Sequence, residues 1–106
     1  MSRVTVTAGA RRDLKEIGRY IAEQSQSLDL ALRFLDRIDQ KCQLYAANPE
    51  LGTRRRDLGE STRCFSVGDY VAFYEPGQGE ICVLLVVHGA RDIPTVVRER
   101  FGGSGE

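Results

Sequence analysis

Residues 88–92, His88-Gly89-Ala90-Arg91-Asp92, bring together the side chains best suited to chemistry. His88 is the only histidine, and an imidazole titrates where a general acid or base is useful. Arg91 supplies a fixed cation and Asp92 an acceptor beside it. A structural role competes. A histidine ending a buried strand can orient a loop through a hydrogen bond, and an Arg–Asp neighbour pair can anchor the chain as it leaves a sheet. The structural role is preferred, although both make the cluster important.

A second charged group is Arg54-Arg55-Arg56, followed by Asp57 and Glu60. It reads either as a solvated connection or as a contact surface for a macromolecular partner. Thirteen of the fifteen basic residues are arginine, with only Lys15 and Lys41 as lysine. Arginine offers bidentate donors suited to carboxylate or phosphate, but a GC-rich genome produces the same bias. The net charge is zero, which argues against strong non-specific binding to nucleic acid. Cys42, Cys64 and Cys82 are odd in number and widely spaced. They lack the clustered ligand pattern of structural zinc and read as buried reduced thiols. No metal, other cofactor or small-molecule substrate is expected.

The elements that position these residues follow from periodicity. Arg3-Val4-Thr5-Val6-Thr7 alternates as a short strand, and Thr7 can cap a helix beginning at Ala8. Ala10, Leu14, Ile17 and Ile21 form one helical stripe to about Ser25. Ser27 caps a second helix to about Ala47, with Ala31, Phe34, Leu35, Ile38, Cys42 and Tyr45 as its stripe and Asn48-Pro49 as its stop. So short a connection makes the two helices an antiparallel hairpin. After a loop over residues 49–59, strands are predicted at 63–67, 70–74 and 81–87, with turns at Gly68-Asp69 and over 76–79. Residues 94–101 suit a short final helix.

The order β-α-α-β-β-β predicts an α+β fold, with the hairpin packed on a small, mostly antiparallel sheet. One domain over residues 1–101 and a flexible Gly-rich tail over 102–106 are expected. The opposite sheet face is left open unless a partner or the C-terminal segment covers it. Tyr70 and Tyr74 share one face of their strand, and tyrosines suit interfaces as well as cores. The N-terminus carries no basic region followed by an apolar stretch. The longest apolar run, residues 83–87, is far too short to span a membrane, so a cytoplasmic location is expected.

Several segments resemble the RelE/ParE toxin superfamily, and its ParE-like branch in particular. Residues 10–17 with Tyr20-Ile21-Ala22 look like the first helix of ParE-type toxins. Residues 48–52, 63–70 and Phe73-Tyr74 are similar to the middle of that family, and His88-Gly89-Ala90-Arg91-Asp92-Ile93 to the end of its last strand. The resemblance implies the toxin of a type II toxin–antitoxin pair, held inactive by a ParD-like antitoxin. It also implies DNA gyrase as the target, and contact with DNA only indirectly, through the antitoxin. The alternatives are a RelE-type ribosome-dependent mRNA endoribonuclease and a degenerate, non-toxic antitoxin-binding module.

Metal-free RNA cleavage needs a base, an acid and cations for the transition-state phosphate. Aligned to the ribonuclease branch, Arg63 and Arg91 fall on basic positions, and His88 would complete a set. Phe65, Val71 and Val97 fall where Lys, Arg and Tyr stand in that branch, and apolar side chains can neither move a proton nor neutralise a phosphate. The expectation is therefore no catalytic residue. Arg63, His88, Arg91 and Asp92 are linked to toxicity, while Arg54, Arg55, Arg56, Tyr70 and Tyr74 contact partners. Leu30 or Leu44, on the hairpin's outer edge, are further candidates for antitoxin contact.

Overall fold

The computed structural model describes residues 2–89 and 93–101. Arg91, Asp92 and the 102–106 segment lie outside the described residues. In chain order the elements are β1 (Arg3–Val6), α1 (Ala8–Ser25), α2 (Leu28–Ala47), a 3-10 turn (Pro49–Leu51), β2 (Thr53–Arg54), β3 (Arg63–Val67), β4 (Tyr70–Gly77), β5 (Glu80–His88) and α3 (Ile93–Phe101). The strands form one sheet in the order β1-β5-β4-β3-β2. β1 runs parallel to β5 and the other neighbours are antiparallel.

Both helix starts use the expected hydroxyl caps. Thr7 Oγ1 accepts from the Ala10 amide at 3.1 Å, and Ser27 Oγ accepts from the Leu30 amide at 3.1 Å. Each satisfies a first-turn amide that has no partner within its helix. Between the helices, Gln26 takes a left-handed conformation (φ 58°), which turns the chain back on itself.

The sheet has an apolar layer on each face. On one side the hairpin covers Phe65, Val67, Ala72, Tyr74, Ile81, Val83 and Val86, with Ile17, Ile38 and Cys42 packed onto them. On the other, Phe73, Leu85 and Val87 are covered by Leu58 and by Ile93, Val96 and Val97 of α3. The C-terminal helix thus closes the face that the strand pattern left open. β5 supplies residues to both layers, as its unbroken apolar run requires. Leu84 is an extra residue opposite the step from Phe73 to Tyr74, whose partners are Leu85 and Val83. This bulge shifts the alternation, so Val83 and Val86 face the hairpin while Leu84 and Leu85 face α3.

Two details extend the predicted pattern. The 49–59 connection contains the 3-10 turn and the edge strand β2, because Thr53 and Arg54 pair with Cys64 and Arg63. β4 continues through Pro76 to Gly77, so the hairpin turn is only Gln78-Gly79, with Gly79 at a positive φ of 64°.

Tyr74 corrects an expectation. The sequence places it among the partner contacts, but it is 0% exposed at the centre of the hairpin-side core. Its hydroxyl donates to Pro49 O at 2.8 Å and accepts from Gly52 N at 3.0 Å, which ties the loop before β2 to the sheet. A Cβ on Gly52 would overlap the Tyr74 ring and hydroxyl, so that close approach requires glycine. Nearby, Tyr45 stacks on Phe65 with centroids 4.4 Å apart and planes 3° off parallel, worth about 0.5–1.5 kcal/mol beyond area burial.

Tyr74→Phe leaves the Gly52 amide without its acceptor, which should cost about 1–2 kcal/mol; a lower urea midpoint with an unchanged m-value is the expected record. Burial, helped by the nearby Asp39 charge, pushes the Cys42 thiol from 9.0 up to about 11. The unfolded chain therefore releases this proton near pH 9 and the folded chain only near 11. Its contribution to stability is complete below pH 9 and falls as pH rises through that window. In titration with a thiol reagent at pH 8, Cys42 should react only on unfolding.

Candidate functional site

β1 stops at Val6 while β5 runs on to His88. Past Val83, β5 therefore loses its β1 partner, and the start of α1 takes over. The Thr7 amide donates to Val83 O at 3.0 Å and its hydroxyl donates to Leu84 O at 3.0 Å. Six residues on, Asp13 Oδ2 accepts from the Val86 amide at 3.0 Å. The same carboxylate is gripped by Arg100 of α3, with Nη2 to Oδ1 at 2.8 Å and Nη1 to Oδ2 at 3.2 Å. Asp13 thus links α1, β5 and α3. Gly9 gives the guanidinium passage, since a Cβ there would lie 2.8 Å from Arg100 Nη1.

Beyond this clamp lies an open groove of about 850 Å³ between α1, α2, the Gly68-Asp69 turn and β5. Its floor is apolar, built from Ile17, Ile21, Phe34 and Val86, and its rim carries Glu16, Tyr20, Arg37, Asp69 and His88. Gly68, at φ 58°, leaves room for the Phe34 ring. Phe34 packs on Tyr70 with centroids 5.6 Å apart, and Arg37 lies 5.4 Å over the Phe34 ring. Tyr70 and His88 are cross-strand partners whose rings meet edge-on at 5.3 Å. Burial raises the Tyr70 phenol above its ordinary range, with smaller contributions from Tyr20 and Asp69. Tyr70 therefore stays a neutral hydroxyl at the groove wall.

The structure sorts the residues expected to act. Tyr70 and His88 meet at the groove. Arg63 does not join them: it pairs with Tyr74, four residues along β4 from Tyr70, roughly 14 Å away along the strand. Its guanidinium is committed there, donating to Glu50 O at 3.0 Å, Gly52 O at 2.8 Å and Glu50 Oε1 at 2.9 Å. With a side chain only 16% exposed, Arg63 holds the 3-10 turn onto β3. Arg63 and His88, two members of the alternative ribonuclease set, therefore stand apart on the sheet. Arg91, the third member of that set, and Asp92 lie outside the described residues.

Within the arginine run, Arg55 is turned inward. It grips Asp57 through two hydrogen bonds of 3.0 and 2.9 Å and lies 5.5 Å over the Phe73 ring. Arg54 and Arg56 point to solvent. Leu30 and Leu44 are each 48% exposed. Among the described residues, no group of His, Cys, Asp and Glu is placed to hold a metal ion. The Asp13–Arg100 clamp was not legible in the sequence. Its one signal was a carboxylate next to Leu14 on an otherwise apolar helical stripe.

The architecture defines the class: a small α+β protein with a five-stranded mixed sheet, a helical hairpin on one face, a single helix on the other and a groove between the hairpin and the end of β5. The family model for the ParE toxin of type II toxin–antitoxin systems matches residues 4–93, and the chain belongs to that family. Among solved structures it resembles the chromosomal ParDE toxin–antitoxin system from P. aeruginosa. The TM-score is 0.68 and the identity 18%, over 83% of this chain and 96% of that one. At that identity the likeness concerns the fold. A search of curated protein sequences returned no match.

Arg100→Ala removes the counter-charge from a carboxylate whose side chain is only 11% exposed. The pair is partly hydrated, so the expected loss is about 2 kcal/mol, below the range for fully buried pairs. Hydrogen exchange should quicken first in the α3 amides, and loss of protection across all elements at once would contradict the local role of the clamp.

Proposed function

We propose that this ParE-family toxin poisons DNA gyrase without catalysing a reaction of its own, and that a cognate ParD-like antitoxin neutralises it in the cytoplasm. The family match supports the toxin–antitoxin assignment. The observation that carries the choice of a protein target is the packing at the three positions where the ribonuclease branch is polar. Phe65 is 4% exposed and stacked on Tyr45, while Val71 of β4 and Val97 of α3, each partly buried, pack against Phe73, Leu85 and Val87. A polar catalytic group at Phe65 would have to replace core contacts, at a cost of about 3–5 kcal/mol for a large aromatic.

The groove and the adjoining edge of α2 suit the antitoxin. Leu30, Arg37, Lys41 and Leu44 recur at helical spacing on one side of α2, and Arg37 is also on the groove rim. An amphipathic segment with apolar anchors and acidic flanks matches that surface. Tyr70, at the groove wall, belongs to the same contact. Arg54 and Arg56, exposed beside β2, are assigned to the target or to acidic residues of the antitoxin.

Purified toxin added to gyrase should inhibit supercoiling and trap cleaved DNA. Unimpaired supercoiling, or codon-linked cuts in messages after induction, would overturn the proposal in favour of the ribonuclease. Leu30→Asp with Leu44→Asp should weaken antitoxin binding at least about tenfold by titration calorimetry, since each buried leucine contributes about 1.5–3 kcal/mol. The thermal midpoint of the free toxin should stay within a few degrees of the parent.

A further inference from the structure

The outer face of α1 carries charge that the fold does not use. Arg11, Arg12, Lys15 and Arg19 are all exposed, on the side opposite the buried Ala10, Asp13, Ile17 and Gly18. The ion pairs among the described residues are Arg3–Glu80, Arg33–Asp29, Arg55–Asp57, Arg63–Glu50 and Arg100–Asp13, and none involves these four cations. Their placement also opposes the helix dipole. The first turn of α1 contains no acidic residue, and Arg11 and Arg12 stand near its positive end, where cations are disfavoured. Helix stability does not explain such a stripe.

We propose that this face of α1 contacts the phosphate backbone of duplex DNA directly. Arg11, Lys15 and Arg19 are four residues apart, so they stand about 6 Å from one another along the helix axis. The row spans about 12 Å, roughly the axial length of three to four nucleotides of one strand. Arginine is suited to phosphate through its planar, bidentate donors, and the end of the helix adds positive potential to the same face.

Three features favour duplex DNA over other polyanions. An acidic protein partner needs an apolar centre to its interface, but the stripe contains no large hydrophobic: Tyr20, the exposed aromatic of α1, lies on the groove side. Single-stranded nucleic acid is held by aromatic stacking, for which the stripe has no ring. The stripe also has no Asn, Gln, Ser or Thr to read adenine edges or 2′-hydroxyls. What remains is contact with charge density, independent of sequence. Glu16 and Glu23 border one margin of the row, which restricts the contact to the Arg11–Arg19 side. The chain's net charge of zero means that this patch, rather than a general attraction, sets the association.

The test uses the full chain and a fluorescein-labelled 20-base-pair duplex of arbitrary sequence, by anisotropy over a salt series. Three neutralised phosphates give a log–log salt slope of about −2.7, or roughly a 40-fold loss between 50 and 200 mM salt. Arg11→Glu/Lys15→Glu/Arg19→Glu should abolish binding at 50 mM salt. The milder Arg11→Gln/Lys15→Gln/Arg19→Gln should weaken it at least about tenfold and flatten the slope, with melting curves verifying the fold of both. Arg3→Glu/Arg33→Glu/Arg98→Glu changes the net charge equally away from α1 and should bind within about threefold of the parent. The proposal is overturned by absent binding at 50 mM salt, or by equal losses in the α1 and control variants. Tighter binding to a matched RNA duplex, or equal competition by poly-glutamate, also overturns it.

Discussion

One carboxylate organises the meeting of three elements. Asp13 is on the buried side of α1, accepts the Val86 amide that β1 is too short to reach, and receives the Arg100 guanidinium from α3. A charge in such a place is tolerated only when every strong partner is present, because burial without them costs several kcal/mol. The bond to Val86 keeps α1 against the far end of β5, and so keeps the groove wall in position. The bond to Arg100 keeps α3 over the second sheet face. If the clamp weakens, both the groove and the lower apolar layer lose a support.

The two sheet faces are secured differently. The hairpin side is a continuous core in which Tyr74, Phe65 and Tyr45 interlock, and the Tyr74 hydroxyl carries that rigidity into the loop before β2. The α3 side depends on a nine-residue helix whose described apolar residues, Ile93, Val96 and Val97, are only partly buried. A short helix has little stability of its own, so tertiary contacts and the Arg100 bridge decide whether it stays docked. Low local stability of that kind is common where a protein meets partners.

The charged side chains divide between structural work and open surface in a way residue type did not indicate. Arg55, Arg63 and Arg100 are fastened to carboxylates or carbonyls inside the fold, while Arg54 and Arg56 face solvent beside β2. The surfaces proposed for recognition are a groove with an apolar floor, the Leu30–Leu44 side of α2, Arg54 and Arg56 beside β2, and a basic row on α1. For a toxin of the ParE family, separate surfaces of this kind would let one small chain meet an antitoxin and a target by different chemistry.

Much of the fold was legible in the sequence because local signals agreed. Hydroxyl caps at Thr7 and Ser27, helical stripes, and turn residues at Gly68 and Gly79 depend on neighbours within a few positions, and they appear where expected. The apolar run in β5 likewise announced a strand covered on both faces. The parallel pairing of β1 with β5, the bulge at Leu84 and the edge strand β2 depend on residues far apart in sequence, so periodicity did not contain them. The same limit governs the site. That Tyr70 and His88 meet follows from the register of β4 on β5, and that Arg63 lies apart follows from the same register. Sequence determined which side chains have the chemistry, through their types and local spacing. Only the tertiary structure decided that Tyr74 is spent in the core and that Asp13 must be paired across 87 positions with Arg100. Burial and partnership are set by what packs against a residue, and no window along the chain includes both sides of that contact.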